Sequence, residues 1–269
     1  MKTNEQIKNE VRDKYSEIVT HSTYSDCCCG TSGCCDTATT TTFTMKDDGY
    51  EQQPGYVKEA DLGLGCGIPT EFAGIKEDDI VVDLGSGAGN DAFIARSLTG
   101  KHGEVIGVDF TKEMIIQARK NALKLGYRNV SFIHGDIEAI PIEENIADVV
   151  LSNCVLNLVP DKQKAFKEIF RILKPGGHFC VSDIVIQGTM PQELQDSAAL
   201  YAGCVAGALP QAEYLKIIEV NGFSDITIHK SKRIDIPEDT LAQYLDPTAL
   251  QHYRESLSGI FSITVTGRK

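Results

Sequence analysis

Cysteine is the residue type in this sequence whose placement most directly suggests chemistry. Five of the nine cysteines lie in the stretch "YSDCCCGTSGCC" at residues 24–35. Its many Gly, Ser and Thr residues cannot bury five thiols, although burial is the usual fate of a free cysteine. In a reducing compartment, clustered cysteines more often bind metals or undergo redox reactions than form structural disulfides. We therefore expect this cluster to be chemically active.

Three further cysteines stand singly among small residues. Cys66 lies in "LGLGCGIPT", Cys154 in "SNCVLNLVPD" and Cys204 in "AGCVAGAL". Zinc fits such a set poorly, because a structural zinc site takes four ligands and usually includes a closely spaced Cys pair. A site with three thiolates instead suits a soft ion with pyramidal coordination, such as trivalent arsenic. Cys180, in "GHFCVSD", is expected to pack in the core, and His134 to pack or to face solvent.

A glycine-rich stretch, "VVDLGSGAGND" at residues 81–91, follows an apolar run and predicts a turn from a strand into a helix. Gly85, Gly87 and Gly89 would let the backbone turn sharply and approach a ligand. Dinucleotide-binding loops use G-x-G-x-x-G to bind a pyrophosphate. Here the pattern is G-x-G-x-G with Asp83 two residues ahead of it, and a carboxylate suits an amino group better than a phosphate.

Two later strands end in acidic residues that could hold a nucleoside. Asp109 lies twenty residues after Gly89, where its carboxylate could accept hydrogen bonds from both ribose hydroxyls. This geometry serves NAD and S-adenosylmethionine equally. Asp136, with the backbone of Ile137, could read the edge of an adenine.

The elements that would position these residues follow from the apolar pattern. Apolar residues spaced by three and four predict a leading helix over residues 4–19, and residues 22–48 predict a loop. From Asp79 onward strands and helices alternate, which indicates a doubly wound α/β fold with a mostly parallel sheet. Among the predicted helices are "KQKAFKEIFRILKPGG" at residues 162–177 and "MPQELQDSAALY" at 190–201, and later runs predict closing strands.

We predict three segments within this organisation: an N-terminal helix with a Cys-rich appendage over 1–50, a ligand-binding core over 51–190, and a small C-terminal α+β extension of the same domain over 191–269. The formal charge of −12 argues against nucleic acid as a partner, and no apolar run reaches the roughly 18 residues of a membrane span. The charged N-terminus lacks the apolar region of a signal peptide. We therefore expect a cytoplasmic protein with no membrane partner. We also expect the protein to be monomeric.

The acidic glycine loop, Asp109, "GDIEAIP" and "RILKPGG" together resemble the class I S-adenosylmethionine-dependent methyltransferases. The three segments that carry Cys66, Cys154 and Cys204 are similar to those of bacterial arsenite methyltransferases. This resemblance implies that the three thiolates hold As(III) while its lone pair attacks the methyl group. Asn153 and Cys154 follow the fourth strand, and since ligands of open parallel sheets bind beyond the carboxyl ends of the strands, we expect both residues to face the methyl donor. The resemblance also implies S-adenosylmethionine as the cofactor and no catalytic metal.

The same resemblance implies a further cysteine upstream that takes part in redox cycling, and Cys34 or Cys35 matches it best by distance. The expected partners are arsenite or an arsenite–thiol complex and a thiol reductant of the thioredoxin or glutathione type. Two alternatives stay open: a quinone- or sterol-type methyltransferase, and a soft-metal-binding protein without catalysis. NAD is the alternative cofactor.

Overall fold

The computed structural model describes residues 3–24, 49–188, 207–236, 241–242, 245–256 and 258–269. Six cysteines and the helix expected over 190–201 lie outside these residues, the cysteines being Cys27, Cys28, Cys29, Cys34, Cys35 and Cys204. Cys66, Cys154 and Cys180 are described and buried.

Within the described residues, eight strands form one sheet and seven α-helices accompany it. The strands are β1 (Ile80–Leu84), β2 (Glu104–Asp109), β3 (Val130–His134), β4 (Ala147–Asn153), β5 (Leu173–Gln187), β6 (Leu209–Pro210), β7 (Ser224–Arg233) and β8 (Gly259–Arg268). The helices are α1 (Asn4–Tyr24), α2 (Pro69–Phe72), α3 (Asn90–Thr99), α4 (Lys112–Lys124), α5 (Lys162–Ile172), α6 (Gln211–Val220) and α7 (Pro247–Glu255).

The sheet confirms the predicted α/β fold class. Its strand order is β3-β2-β1-β4-β5-β8-β7, and β6 pairs with the far end of β5. The pairs among β1 to β6 are parallel, whereas β8 runs antiparallel to both β5 and β7. The predicted closing strands thus continue the main sheet. Since ligands of open parallel sheets bind beyond the carboxyl ends of the strands, the loops after β1, β2 and β4 form the edge where a site is expected.

Helices cover both faces of the central strands. Val82 in β1 packs in one apolar core with Phe166 of α5, whereas its neighbour Val81 packs in the other core with Phe93 of α3. Successive side chains of a strand point to opposite faces. Burial on both faces therefore explains why these strands are continuously apolar rather than alternating.

Helix α5 ends earlier than the apolar pattern predicted. It begins at an N-cap, since the Asp161 side chain accepts the Lys164 N–H at 2.9 Å. It was expected to reach Gly177, but it ends at Ile172 and the chain enters β5 at once. Pro175 has no N–H to continue a helix. The Gly176 N–H instead donates to the Lys269 carbonyl at 3.0 Å, next to the end of the sheet.

Candidate functional site

The glycine loop leaves β1 and opens onto a cleft. Gly85, Gly87 and Gly89 have φ angles of 72°, 52° and 102°, in the left-handed region that favours glycine. A Cβ on Gly85 would lie 2.3 Å from the Val155 side chain, whereas one on Gly87 would meet nothing within 4 Å. Gly85 is thus required for close packing, and Gly87 leaves the backbone exposed to the cleft.

The cleft joins the predicted nucleoside-binding residues to one cysteine. It encloses about 1060 Å³, part of it open to solvent. The predicted site residues that line it are Gly85, Gly87, Asp109, Asp136, Ile137, Asn153 and Cys154. Asp83, Gly89 and Cys66 do not line it directly. The loops after four parallel strands therefore meet as the strand pattern suggested.

Three buried carboxyl groups lie at the glycine-loop end of the cleft. Burial raises the pKa of Asp83, and the charges of Asp91 and Asp109 raise it further. Burial also raises the pKa of Asp91, to about 6, although Asn153 and Tyr50 donate hydrogen bonds to it. Among the described residues, one oxygen of Asp83 and one of Asp91 have no hydrogen-bond partner. Ionising several neighbouring carboxyl groups that are buried and lack hydrogen-bond donors costs free energy. A ligand with a cationic group would lower that cost, so this cluster fits such a ligand.

Asp109 is held rigidly at the end of β2. Its Oδ1 accepts the Thr111 N–H at 2.7 Å, and its Oδ2 accepts the Gly87 N–H at 2.9 Å. These bonds oppose the effect of burial, which on balance raises the Asp109 pKa. A carboxylate fixed in this way keeps lone pairs available for ribose hydroxyls.

Helix α1 lies against the same cleft. Lys8 donates to Asp136 Oδ2 at 2.6 Å and to Glu138 Oε2 at 2.5 Å. Asp136 Oδ1 accepts the Glu138 N–H at 2.9 Å. Together with Val11 and Tyr15, Lys8 lines the cleft. The predicted leading helix therefore contributes to the site.

Two of the three predicted sulfur ligands are brought together. Cys66 and Cys154 are 3% and 2% exposed and belong to one buried cluster with Ile184 and Leu245. Cys154 has a φ of 61°, which is uncommon for a residue with a side chain and often marks a functional site. Its N–H donates to the Ser182 carbonyl at 2.7 Å. Cys204, the third, lies outside the described residues.

Asn153, at the end of β4, holds the loop that carries Cys66. Its Oδ1 accepts the N–H groups of Cys66 and Gly67 at 3.0 and 3.3 Å. Its Nδ2 donates to the Gly67 carbonyl at 2.9 Å and to Asp91 Oδ2 at 3.0 Å. The Ser262 hydroxyl donates to the Cys66 carbonyl at 2.6 Å from the other side.

Cys180 and His134 lie away from this arrangement. The Cys180 thiol donates to the Pro69 carbonyl at 3.1 Å within the sheet core, and burial raises its pKa. His134 is exposed, with Nε2 2.9 Å from the Phe110 carbonyl oxygen. Both placements agree with the sequence-based interpretation.

The sequence interpretation missed Asp91, Tyr50 and Lys8. Asp91 stands inside the quoted glycine motif, and a second carboxylate there was an available signal. Tyr50, 8% exposed and hydrogen-bonded to Asp91, follows no recognisable motif. Lys8 pairs with residues about 130 positions away, which no local pattern predicts.

Asp183 and Tyr214 form a second buried polar group, and Tyr214 lies close enough to Cys66 and Cys154 to interact with them electrostatically. Asp183 in β5 is fully buried and accepts the Tyr214 O–H at 3.1 Å. Burial raises the Asp183 pKa to about 7, opposed mainly by the Ile184 N–H and by the charge of Lys162. Burial raises the Tyr214 pKa, and negative charge on Asp183, Cys66 or Cys154 raises it further.

No helix in the described part of the chain combines the length and apolar character needed to cross a bilayer. Nor do the described residues contain three or more His, Cys, Asp or Glu side chains grouped as metal ligands.

Comparisons with known proteins agree with this architecture. The methyltransferase domain family matches residues 75–222, more than half of the chain. The arsenite methyltransferase of Halobacterium salinarum is 39% identical over 83% of this chain and 59% of its own length. A naphthoquinone methyltransferase of Arabidopsis thaliana is 30% identical over 58% of this chain and 62% of its own.

A solved structure extends the comparison to three dimensions. The arsenic (III) S-adenosylmethionine methyltransferase of Chlamydomonas reinhardtii superposes with a TM-score of 0.62 and 35% identity, over 76% of this chain and 67% of that one. The chain spans about three fifths of the length of the curated Halobacterium relative. It belongs to the methyltransferase domain family and, within it, to the arsenite S-adenosylmethionine methyltransferases.

Proposed function

We propose that this chain transfers a methyl group from S-adenosylmethionine to As(III) held by cysteine thiolates. The observation that carries the proposal is that Cys154 and the glycine loop line one cleft, while Cys66 belongs to the same buried cluster as Cys154. The Halobacterium and Chlamydomonas relatives, named for arsenite and arsenic (III), support the choice of substrate.

On the donor side, the Asp91 carboxylate, which lines the cleft, would hold the cationic part of the ligand, and the buried Asp83 carboxylate would add negative charge behind it. Asp109 would accept the ribose hydroxyls, and Asp136 with Ile137 would contact the adenine. S-adenosylmethionine supplies a methyl group on a positively charged sulfur. The buried carboxyl oxygens of Asp83 and Asp91 that lack hydrogen-bond partners among the described residues favour such a cation at this place.

On the acceptor side, Cys66, Cys154 and Cys204 would bind As(III) as thiolates, which are the soft ligands that this ion prefers. As(III) bound in this way keeps its lone pair and has no proton to lose, so the reaction needs no general base. The protein would act mainly by alignment, which contributes roughly 7 to 11 kcal/mol in favourable cases. Asn153 would set the position of the Cys66 loop relative to the donor.

The roles of the remaining residues are also proposals. Cys34 or Cys35 would take part in redox cycling with a thioredoxin- or glutathione-type reductant, because a vicinal thiol can attack a disulfide. The three predicted segments, the monomeric state and the cytoplasmic location stay predictions.

The test is an assay with purified protein, arsenite, a thiol and methyl-labelled S-adenosylmethionine, followed by arsenic speciation. We expect labelled methylarsenicals that appear only with arsenite present. In a parallel reaction with a quinone or sterol in place of arsenite, label transfer that does not depend on Cys66 or Cys154 would favour the alternative methyltransferase. Arsenite binding without turnover would favour a soft-metal-binding protein.

A further inference from the structure

One side chain links the carboxylate cluster to the loop that carries Cys66. The Asn153 amide donates from Nδ2 to Asp91 Oδ2 and to the Gly67 carbonyl, and it accepts at Oδ1 from Cys66 and Gly67. An Asn amide has two N–H donors and an oxygen with two lone pairs, so these four bonds use its full capacity. Rotating the amide by half a turn would break them, because the oxygen faces two N–H donors.

The loop lies directly on this amide. A Cβ on Gly65 would lie 2.7 Å from Asn153 Nδ2, so the backbone approaches the amide more closely than any side chain would allow. A displacement of the Asn153 amide must therefore displace the backbone on either side of Cys66.

At its other end the amide bonds a group that a donor ligand would affect. Asp91 lies in the cleft, accepts a hydrogen bond from Tyr50 as well as from Asn153, and interacts with the charge of Asp83. A cationic ligand beside this cluster would favour its ionised form. An ionised carboxylate accepts a shorter and stronger hydrogen bond than a neutral one.

We propose that Asn153 is a positioning residue that couples the carboxylate cluster to the Cys66 loop, so that a cationic nucleoside ligand in the cleft and As(III) at the cysteines bind with positive cooperativity. The identity of the two ligands rests on the proposed function. Such a coupling is reciprocal: each ligand must raise the affinity of the other by the same factor.

The test measures binding rather than turnover. Arsenite affinity of the full chain is determined by equilibrium dialysis under a phosphine reductant, with and without saturating sinefungin, an analogue of S-adenosylmethionine that carries an amine and no transferable methyl. For the wild type we expect sinefungin to tighten arsenite binding at least about fivefold, the lower end of usual coupling. We expect arsenite to tighten sinefungin binding by the same factor.

Three variants separate coupling from simple support of the loop. Asn153→Ala and Asp91→Asn should bring the ratio of arsenite affinities with and without sinefungin close to one, at sinefungin concentrations saturating for each variant. Ser262→Ala is the matched control, because Ser262 holds the Cys66 carbonyl from β8 and not from the carboxylate cluster. It should weaken arsenite binding equally in both conditions and leave the ratio unchanged.

A wild-type ratio of one would overturn the inference, and so would a ratio that Asn153→Ala and Asp91→Asn leave intact. If Asn153→Ala shows no cooperative thermal transition, it does not fold. In that case the ratio of arsenite affinities measured for Asp91→Asn decides whether the coupling exists. Failure of the proposed function gives a different result, because the wild type would then retain no arsenite, or no sinefungin, in any condition.

Discussion

Single cysteines in this protein differ by what surrounds their sulfur. Cys154 occupies a left-handed backbone position at the edge of the cleft, whereas Cys180 lies inside β5 with its thiol bonded to the Pro69 carbonyl. The first arrangement places Cys154 where its sulfur could meet a ligand in the cleft, whereas the second places the Cys180 sulfur in the core. The two residues therefore form a matched pair for mutation.

We expect Cys154→Ser nearly to abolish arsenite methylation, because a hydroxyl is a harder and less acidic ligand than a thiol. Cys180→Ser should keep activity but lower the free energy of unfolding by about 1 to 3 kcal/mol, since it buries a polar hydroxyl in a packed core. The measurements are product speciation and urea unfolding of both variants. A folded, inactive Cys180→Ser beside a fully active Cys154→Ser would reverse the assignment.

Ligand affinity should depend on the ionisation of Asp91. Burial raises the Asp91 pKa to about 6, and a cationic ligand binds the ionised form. Sinefungin affinity should therefore rise from pH 5 to pH 8, by up to about tenfold per pH unit below that pKa. Calorimetry in two buffers of different ionisation enthalpy should detect proton release near pH 6, and Asp91→Asn should release fewer protons. An affinity independent of pH would mean that the cluster is already ionised without ligand.

The sequence predicted the residues of the site that belong to local patterns. Asp83 lies near the end of β1, the glycines follow that strand directly, and Asp109 ends the next strand, so spacing alone indicated them. The partners of those residues come from distant segments: Tyr50 bonds Asp91 across about 40 residues, and Lys8 bonds Asp136 across 128. Such contacts depend on how the elements pack, and no short pattern encodes them.

At the scale of elements, α1 is held to the cleft by a pair of charge-assisted bonds. Lys8 contacts Asp136 and Glu138, and the Glu138 side chain is only 6% exposed. Farther along the helix, the Ser16 hydroxyl donates to Glu113 in α4 at 3.0 Å. The helix therefore closes one side of the cleft through a small number of polar contacts.

We expect Lys8→Met to loosen α1, because it leaves the buried Glu138 carboxylate without its cation. Amide hydrogen exchange within α1 should become about five- to thirtyfold faster, which corresponds to roughly 1 to 2 kcal/mol. Arg12→Met is the control on the same helix, since Arg12 pairs with its exposed neighbour Asp13 at 3.4 Å. Equal exchange in the two variants would mean that Lys8 does not hold the helix.

The order of elements could be predicted, but not all of their limits. Strands alternating with helices indicated the parallel sheet, because apolar periodicity is a local property of the chain. The end of α5 at Ile172 instead reflects the pairing of the following residues with the C-terminus, as in the bond from Gly176 to Lys269. A contact between segments so far apart in the chain overrides the local pattern.

At the scale of the whole molecule, the folded protein contains carboxyl groups that it is costly to ionise. Burial raises the pKa of Asp91 to about 6 and that of Asp183 to about 7, and it also raises that of Asp83. The formal charge of −12 adds general repulsion at neutral pH. Stability and ligand binding should therefore be linked through pH.

The sign of this linkage follows from the direction of the pKa shifts. Between the ordinary carboxyl pKa of 3.8 and the raised values, the folded state binds more protons than the unfolded state. The free energy of unfolding should therefore fall as pH rises from about 4 to 7, by up to about 1.4 kcal/mol per pH unit for each such group.

Saturating sinefungin should restore most of the loss that arises at Asp83 and Asp91, because it supplies the missing positive charge. Urea unfolding at pH 5, 6, 7 and 8, with and without sinefungin, measures both effects, and Asp91→Asn should flatten the ligand-free curve. If the ligand-free stability instead rose steadily to pH 8, the carboxylates of the cleft would already be neutralised within the protein, and a cationic donor would not be needed to balance them.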